Sequence, residues 1–155
     1  MGDIDVRVVR SGPQRLAFAR ATGGSPEEEA IGRLLAWAGP EGLLDDPRGF
    51  HFFGANDPPP RRPGDEYGYF FGVTVPEGVE ATGDIMVKDL PAATYAVTRF
   101  KGLENITGTW RALYDWVEGS QEYRLAGHGL EEPLTPLDRP PSEWVFDLWL
   151  PVAPR

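Results

Sequence analysis

The sequence predicts an α+β fold, built as a tandem pseudo-twofold repeat of strand-helix-strand-strand units. Three observations support this prediction: a long imperfect internal repeat, two amphipathic helical segments at matching places, and runs of β-branched and aromatic residues between turn signals. Neither unit is large enough to bury a sheet alone. We therefore expect them to pair into an antiparallel sheet with two helices on one side and a central cleft at the seam.

The repeat is visible when residues 15–23 are laid over residues 94–102, where an alanine, an arginine and a glycine are identical. The register continues through the helical segments that follow. Further on His51 matches His128, and residues 69–76 match residues 144–151, so that Glu131 falls on Gly54 and Trp149 on Thr74. We interpret residues 1–155 as one domain with repeat halves of about 1–78 and 84–155.

Each half contains one predicted helix. In the first half Ser25 is an N-cap candidate, Pro26 occupies the first helical position and Glu28 completes a capping box. An apolar stripe with i, i+3, i+4, i+7 spacing follows, and the helix is expected to end at Gly39. A second stripe of the same spacing runs from Ile106 to Val117 and stops at Gly119.

Eight segments are predicted to be strands, because β-branched and aromatic residues gather in them. They are Val6–Val9, Leu16–Arg20, Gly49–Phe53, Tyr67–Val75, Asp84–Lys88, Thr94–Phe100, Gly129–Leu134 and Glu143–Leu150. Proline-rich loops are expected at 57–64 and 133–141. On the last strand, alternation places Trp144, Phe146 and Leu148 on one face and Asp147 and Trp149 on the other.

The composition and charge of the chain argue against several classes of structural site and binding partner. The formal net charge is -9, there is no cysteine, and the two histidines, His51 and His128, stand apart and are interpreted as structural. A disulfide framework, a thiolate zinc site and a histidine metal cluster are therefore not expected, and no metal or other cofactor is predicted. The acidic balance makes nucleic acid a poor direct partner. No membrane-spanning run or signal sequence is evident, which predicts a cytoplasmic protein.

Motifs of hydrolases, nucleotide-binding loops and metal sites are absent from the sequence. The second half is instead dense in large aromatic residues, beside the adjacent carboxylates Glu131 and Glu132. An aromatic cavity closed by one carboxylate suits a lipophilic cation. The alternatives stay open at this stage: Trp110 also fits a core stripe, and Glu131 also fits a solvated strand edge, with Glu132 pointing to the opposite face.

A set of short motifs resembles the GyrI-like small-molecule-binding domain, the effector-binding half of AraC- and MerR-type multidrug regulators. The motifs are Asp89-Leu-Pro91, Thr94-Tyr-Ala-Val97, Lys101-Gly102, Trp110-Arg-Ala-Leu-Tyr-Asp-Trp116, Gly129-Leu-Glu131 and Phe146-Asp-Leu-Trp-Leu-Pro-Val152. The resemblance implies a ligand cleft between the halves, in which Glu131 faces a cationic ligand. The ligand-binding residues that it implies are Glu131, Trp110, Tyr114, Trp149, Trp144, Tyr69 and Phe18.

The resemblance leaves three functions open. The first is a stand-alone protein that binds lipophilic, cationic or polycyclic aromatic compounds. The second is a hydrolase of cyclopropane-bearing genotoxins, with Glu131 as general base and Tyr95 or Tyr114 as proton donor. The third is inhibition of a protein partner such as DNA gyrase. We rank the three functions in that order. The sequence leaves open whether the protein is an enzyme, what its ligand is and whether it forms oligomers.

Overall fold

A computed structural model describes residues 4–39, 51–56, 62, 64–76, 78–80, 82–135 and 139–155. Within these residues lie two α-helices and nine strands, which confirms the predicted α+β class. The helices are α1 (Pro26–Ala38) and α2 (Ile106–Glu118). The strands are β1 (Arg7–Ser11), β2 (Gln14–Gly23), β3 (Phe52–Asn56), β4 (Tyr67–Val75), β5 (Met86–Leu90), β6 (Ala93–Lys101), β7 (Tyr123–Leu125), β8 (Leu130–Pro133) and β9 (Val145–Pro154).

One compact unit covers Pro13–Pro91. Its strands follow the order β3-β4-β2-β5, and every pairing is antiparallel. The helix α1 covers the face of β4 that carries Tyr67. The Tyr67 hydroxyl shows this, since it donates a hydrogen bond to Glu27 in the first turn of α1. Ala30 and Leu34 of α1 have no exposed surface. Burial of this apolar helix stripe against the sheet stabilises the unit.

The other compact unit combines β1 with the chain from Ala92 onward. Its strand order is β1-β6-β9-β8, and β7 also pairs with β9. The helix α2 packs Leu113 and Val117 against Phe146, Leu148 and Leu150 of β9. The alternation predicted for β9 is therefore confirmed, since the even-numbered residues form the core under α2 and Asp147 and Trp149 lie on the other face.

The two compact units are not contiguous halves of the chain. The first strand of the sequence, β1, pairs with β6, and the first strand after the midpoint, β5, pairs with β2. Each unit thus holds the full strand-helix-strand-strand repeat plus one strand from the sequence of the other half. The sequence repeat by itself carries no information on this exchange.

Strand pairing corrects one part of the repeat alignment. The matched residues Ala17 and Ala96 pair with Val73 and Leu150. Counting back one residue on each strand equates Trp149 with Gly72, so the alignment of Trp149 with Thr74 is wrong by two residues.

Two details differ from the sequence predictions. Ser25 is the N-cap residue of α1, but its side chain makes no cap hydrogen bond, because its ψ of 69° lies outside the extended range that aims the hydroxyl at the first turn. The short strand β7 was not predicted, since three residues are too few to show a period. Residues 49–50, most of the 57–64 loop and residues 136–138 lie outside the described part of the chain.

Neither helix among the described residues has the length and apolar character needed to cross a lipid bilayer.

Candidate functional site

The two adjacent glutamates of β8 point to opposite faces of their sheet. Glu131 lies opposite Leu148, which belongs to the core under α2, and Glu132 lies opposite Asp147. Directly paired residues of antiparallel strands share a face. Glu131 therefore lies on the α2 side and Glu132 on the other side, as the sequence alternation predicts.

On the α2 side, Glu131 is joined to two aromatic residues of α2. The Trp110 Nε1–H donates a hydrogen bond to Glu131 Oε2 at 3.3 Å, and the Tyr114 ring lies 6.0 Å from the Trp110 ring at an interplanar angle of 42°. We call these three residues the α2-side cluster. All three are half-buried, so the cluster is only partly shielded from solvent.

A glycine makes room for the Trp110 ring. A Cβ built on Gly129 would lie 2.3 Å from Trp110 Cη2, far inside van der Waals contact. Gly129, which precedes Glu131 by two positions, therefore permits the close approach of the indole to β8. Trp110 and Tyr114 also pack against the core of the unit, so the packing role considered for Trp110 is present as well.

On the opposite face, Glu132 and Trp149 form a second carboxylate–indole pair. The Trp149 Nε1–H donates to Glu132 Oε1 at 3.0 Å, and the Tyr95 ring meets the Trp149 ring edge-on at a centroid distance of 5.4 Å. Glu132 is only 4% exposed. Burial raises the pKa of the Tyr95 hydroxyl. We call Glu132, Trp149 and Tyr95 the opposite-face cluster.

The opposite-face cluster lies beside an ion-pair network that is centred on a buried carboxylate. Asp147 is 2% exposed and accepts hydrogen bonds from both Arg7 and Arg99. The Asp147 carboxylate raises the pKa of Arg99, and the Glu132 charge adds to that effect. The negative charges on this face are therefore offset by guanidinium groups of the same unit.

The family model of the GyrI-like small molecule binding domain matches residues 4–153. The chain belongs to this family. Solved structures of low sequence identity share the fold of this GyrI-like chain. No curated protein matches its sequence.

Three solved structures illustrate the shared fold. The EcmrR C-terminal domain has a TM-score of 0.71 at 16% identity, over 97% of this chain and 98% of that chain. SAV2435, solved with tetraphenylphosphonium bound, has a TM-score of 0.59 at 14% identity, over 97% of this chain and 94% of that chain. A hydrolase from Listeria innocua has a TM-score of 0.69 at 12% identity, over 99% of this chain and 94% of that chain.

The full EcmrR chain is longer than this GyrI-like chain. In the complex of EcmrR with DNA, the match covers 96% of this chain but 57% of the EcmrR chain, with a TM-score of 0.71 and 17% identity. At these identities the comparisons establish the fold and not a shared ligand.

The structure does not bring all predicted site residues of this GyrI-like chain together. Glu131, Trp110 and Tyr114 meet on the α2 side, whereas Trp149 and Tyr95 lie on the opposite face. Trp144 joins neither cluster, since its ring packs edge-on against Phe146 and its Nε1–H donates to the Arg139 carbonyl. Glu132 was not among the predicted site residues. Its place beside Trp149 follows from strand pairing, which the sequence pattern alone does not supply.

The remaining two predicted residues, Tyr69 and Phe18, belong to the Pro13–Pro91 unit. Tyr69 is buried on the α1 side, and a Cβ built on Gly54 would lie 2.0 Å from its hydroxyl oxygen. Gly54 is the repeat equivalent of Glu131, so the phenol of Tyr69 occupies the space that the Glu131 side chain takes in the other unit. Phe18 lies on the face away from α1, in edge-on contact with Phe70.

Proposed function

We propose that the chain binds lipophilic, cationic or polycyclic aromatic small molecules at the α2-side cluster. The observation that supports the proposal is the hydrogen bond from the Trp110 indole to the half-buried Glu131 carboxylate, beside the Tyr114 ring. In this role Glu131 balances the ligand charge, and the two rings provide apolar contact area.

The chemistry of the cluster favours organic cations over neutral compounds. Aromatic ring faces attract cations through their quadrupole, and a partly desolvated carboxylate adds a charge interaction that water screens less than at an open surface. The Trp110–Glu131 pair carries the charge of one carboxylate. A ligand with one delocalised positive charge and apolar substituents complements both properties.

Solvent exposure favours Glu131 over Glu132 as the ligand carboxylate. Glu131 is half-buried, whereas Glu132 is almost fully enclosed.

The relatives support the same class of ligand. The family is described as a small-molecule-binding domain, and SAV2435 was solved with the lipophilic cation tetraphenylphosphonium. EcmrR, whose C-terminal domain shares this fold, was solved in complex with DNA. An effector-binding role in transcription regulation, through a separate DNA-binding partner or domain, is therefore part of the proposal.

Calorimetric titration with tetraphenylphosphonium and with a neutral polycyclic compound tests the proposal. We expect Glu131→Gln to weaken tetraphenylphosphonium binding about tenfold or more, because the variant removes a partly buried opposite charge, and to leave the neutral compound nearly unaffected. Glu132→Gln is the matched control from the same strand. If Glu132→Gln alone abolishes the cation preference, the site belongs to the opposite-face cluster. If neither compound binds the native protein, the proposed function is wrong.

Hydrolysis of cyclopropane-bearing compounds is a second candidate function, and one observation favours it. Glu131 and Tyr114 lie on the same side of the sheet, so a carboxylate and a hydroxyl share the α2-side cluster, whereas Tyr95 lies on the opposite face. Glu131 would take a proton from water, the water oxygen would attack the ring carbon, and Tyr114 would protonate the atom that receives the electron pair of the broken bond. Mass analysis of recovered ligands tests this, since ring opening adds one water.

A further inference from the structure

An ammonium group of the protein itself lies over an aromatic pair in the Pro13–Pro91 unit. Lys88 Nζ is 4.5 Å from the centroid of the Phe70 ring and 5.3 Å from that of the Phe18 ring. The two rings meet edge-on, with centroids 5.8 Å apart and an interplanar angle of 67°. All three residues lie on the sheet face away from α1, since Lys88 pairs with Leu16 and Phe18 with Gly72.

Equivalent positions of the repeat, Phe70 and Asp147, each lie beside a cation, although Lys88 is not the repeat mate of Arg99. Arg20 pairs with Phe70, and its repeat mate Arg99 pairs with Asp147. Phe70 is thus the equivalent of Asp147. Where Asp147 accepts hydrogen bonds from guanidinium groups, Phe70 offers a ring face to the Lys88 ammonium. One unit neutralises cations with a carboxylate, and the other receives a cation on aromatic rings.

The Lys88 ammonium is a weakly held occupant of this position. Lys88 is exposed, and a primary ammonium is strongly hydrated, so its contact with the rings adds little free energy at an exposed site. An alkylated organic cation is poorly hydrated and gains more from the same ring faces, as in the recognition of quaternary ammonium groups by aromatic residues.

We propose that Phe18 and Phe70 form a second binding site for lipophilic organic cations, which Lys88 occupies in the ligand-free protein. A ligand cation replaces the Lys88 ammonium on the rings, and the flexible lysine side chain moves into solvent. The site lies in the other unit from Glu131 and uses no carboxylate. It therefore goes beyond the proposed function, and it can be tested independently of Glu131.

The chain is well suited to a direct test, because Lys88 and Lys101 are its only two lysines. Labelling lysine with carbon-13 at Cε gives two NMR signals, and Lys101→Met assigns them. In the free protein we expect the Lys88 Hε protons to resonate upfield of those of Lys101, owing to the ring currents of Phe18 and Phe70. Titration with tetrabutylammonium chloride, an aliphatic cation with no ring current of its own, is expected to move the Lys88 signal toward the Lys101 position. Sodium chloride at equal concentration is the control.

Affinity measurements in the Glu131→Gln background isolate the second site. Lys88→Met is expected to strengthen tetrabutylammonium binding roughly two- to fivefold, because the ligand no longer competes with an exposed cation–π contact. Lys101→Met removes the same charge elsewhere and is expected to leave the affinity unchanged. Combining Lys88→Met with Phe18→Leu is expected to abolish the gain, since the gain requires the ring.

The outcomes separate this inference from the proposed function. Coincident Lys88 and Lys101 signals in the free protein, or a Lys88 signal that tetrabutylammonium does not move, would overturn the second site whatever Glu131 does. A Lys88 response that disappears in Glu131→Gln would also overturn it, because a single site would then explain both. A Lys88 response that persists in Glu131→Gln supports it, even if Glu131→Gln leaves tetraphenylphosphonium binding unchanged and the proposed function fails.

Discussion

Arg7 donates a hydrogen bond to Asp147 at 2.5 Å, although 140 positions of sequence separate the two residues. Arg99 contacts the same carboxylate at 2.9 Å from its Nε. Because the sheet order is β1-β6-β9, the contact between Arg7 and Asp147 joins β1 to β9 across the intervening strand β6. The exchanged strand β1 thus has an electrostatic attachment in addition to its backbone pairing.

Replacing Asp147 with Asn is expected to destabilise the protein. The variant leaves two guanidinium groups beside a neutral, almost fully buried amide. Loss of one partner from a buried ion pair costs about 3–5 kcal/mol, and the half-exposed arginines reduce the expected loss here to about 2 kcal/mol. Urea unfolding at neutral pH measures it.

The control for this prediction is Asp89→Asn, which breaks the exposed pair with Arg15. Water screens that pair, so the variant should leave the free energy of unfolding close to the native value. Equal losses in the two variants would show that Asp147 contributes no more than a surface ion pair.

Tyr67 is expected to make the stability of the protein depend on pH in the alkaline range. The hydrogen bond to Glu27 and burial raise its pKa from 10.0 to about 12. The folded state therefore holds the phenol proton more tightly than the unfolded chain does. This stabilising contribution is complete below pH 10 and is lost as pH rises through about 12.

Tyrosinate absorbance during an alkaline titration measures this shift. In the native protein Tyr67 should ionise near pH 12, and Tyr67→Phe should lack this contribution to the titration curve. Glu27→Gln is expected to lower the ionisation pH, because the main cause of the shift is removed. An unchanged titration curve in Glu27→Gln would contradict the assignment.

The sequence predicts the parts of the fold that local periodicity encodes. The apolar stripes specify α1 and α2, and alternation specifies the two faces of β9 and the opposite directions of Glu131 and Glu132. These features depend only on the periods of helix and strand. They can be predicted without knowledge of which strands pair.

Strand partners are not encoded in local periodicity. Three features depend on the register between distant segments. They are the exchange of β1 and β5 between the repeat halves, the equivalence of Trp149 with Gly72, and the hydrogen bond from Trp149 to Glu132. For the same reason the sequence grouped Trp149 and Tyr95 with Glu131, although the sheet separates them. Whether the α2-side cluster binds a ligand stays a prediction.

Gly54→Ala is expected to destabilise the Pro13–Pro91 unit. Its Cβ would lie 2.0 Å from the Tyr69 hydroxyl oxygen, in a buried part of the sheet where the ring has little space to move. Overpacking of this kind costs about 1–3 kcal/mol. Gly24→Ala, where an added Cβ meets nothing within 4 Å, is the control. Tyr69→Phe in the Gly54→Ala background should recover part of the loss in thermal unfolding, because it removes the nearest atom.

Gly129→Ala tests whether the position of Trp110 matters for ligand binding. The added Cβ would lie 2.3 Å from Trp110 Cη2, so the indole must move away from β8 and lose its hydrogen bond to Glu131. We expect a shifted tryptophan emission spectrum and a several-fold weaker affinity for tetraphenylphosphonium, with a loss of stability of about 1 kcal/mol.

Gly108→Ala is the matched control for Gly129→Ala, because it also adds one methyl group to the unit, on α2 itself, and meets nothing within 4 Å. Alanine is a better helix former than glycine, so this variant should be as stable as the native protein or more so, with unchanged ligand affinity. If Gly129→Ala shifts the tryptophan emission but binds tetraphenylphosphonium as the native protein does, Trp110 holds α2 against β8 and has no part in the ligand site.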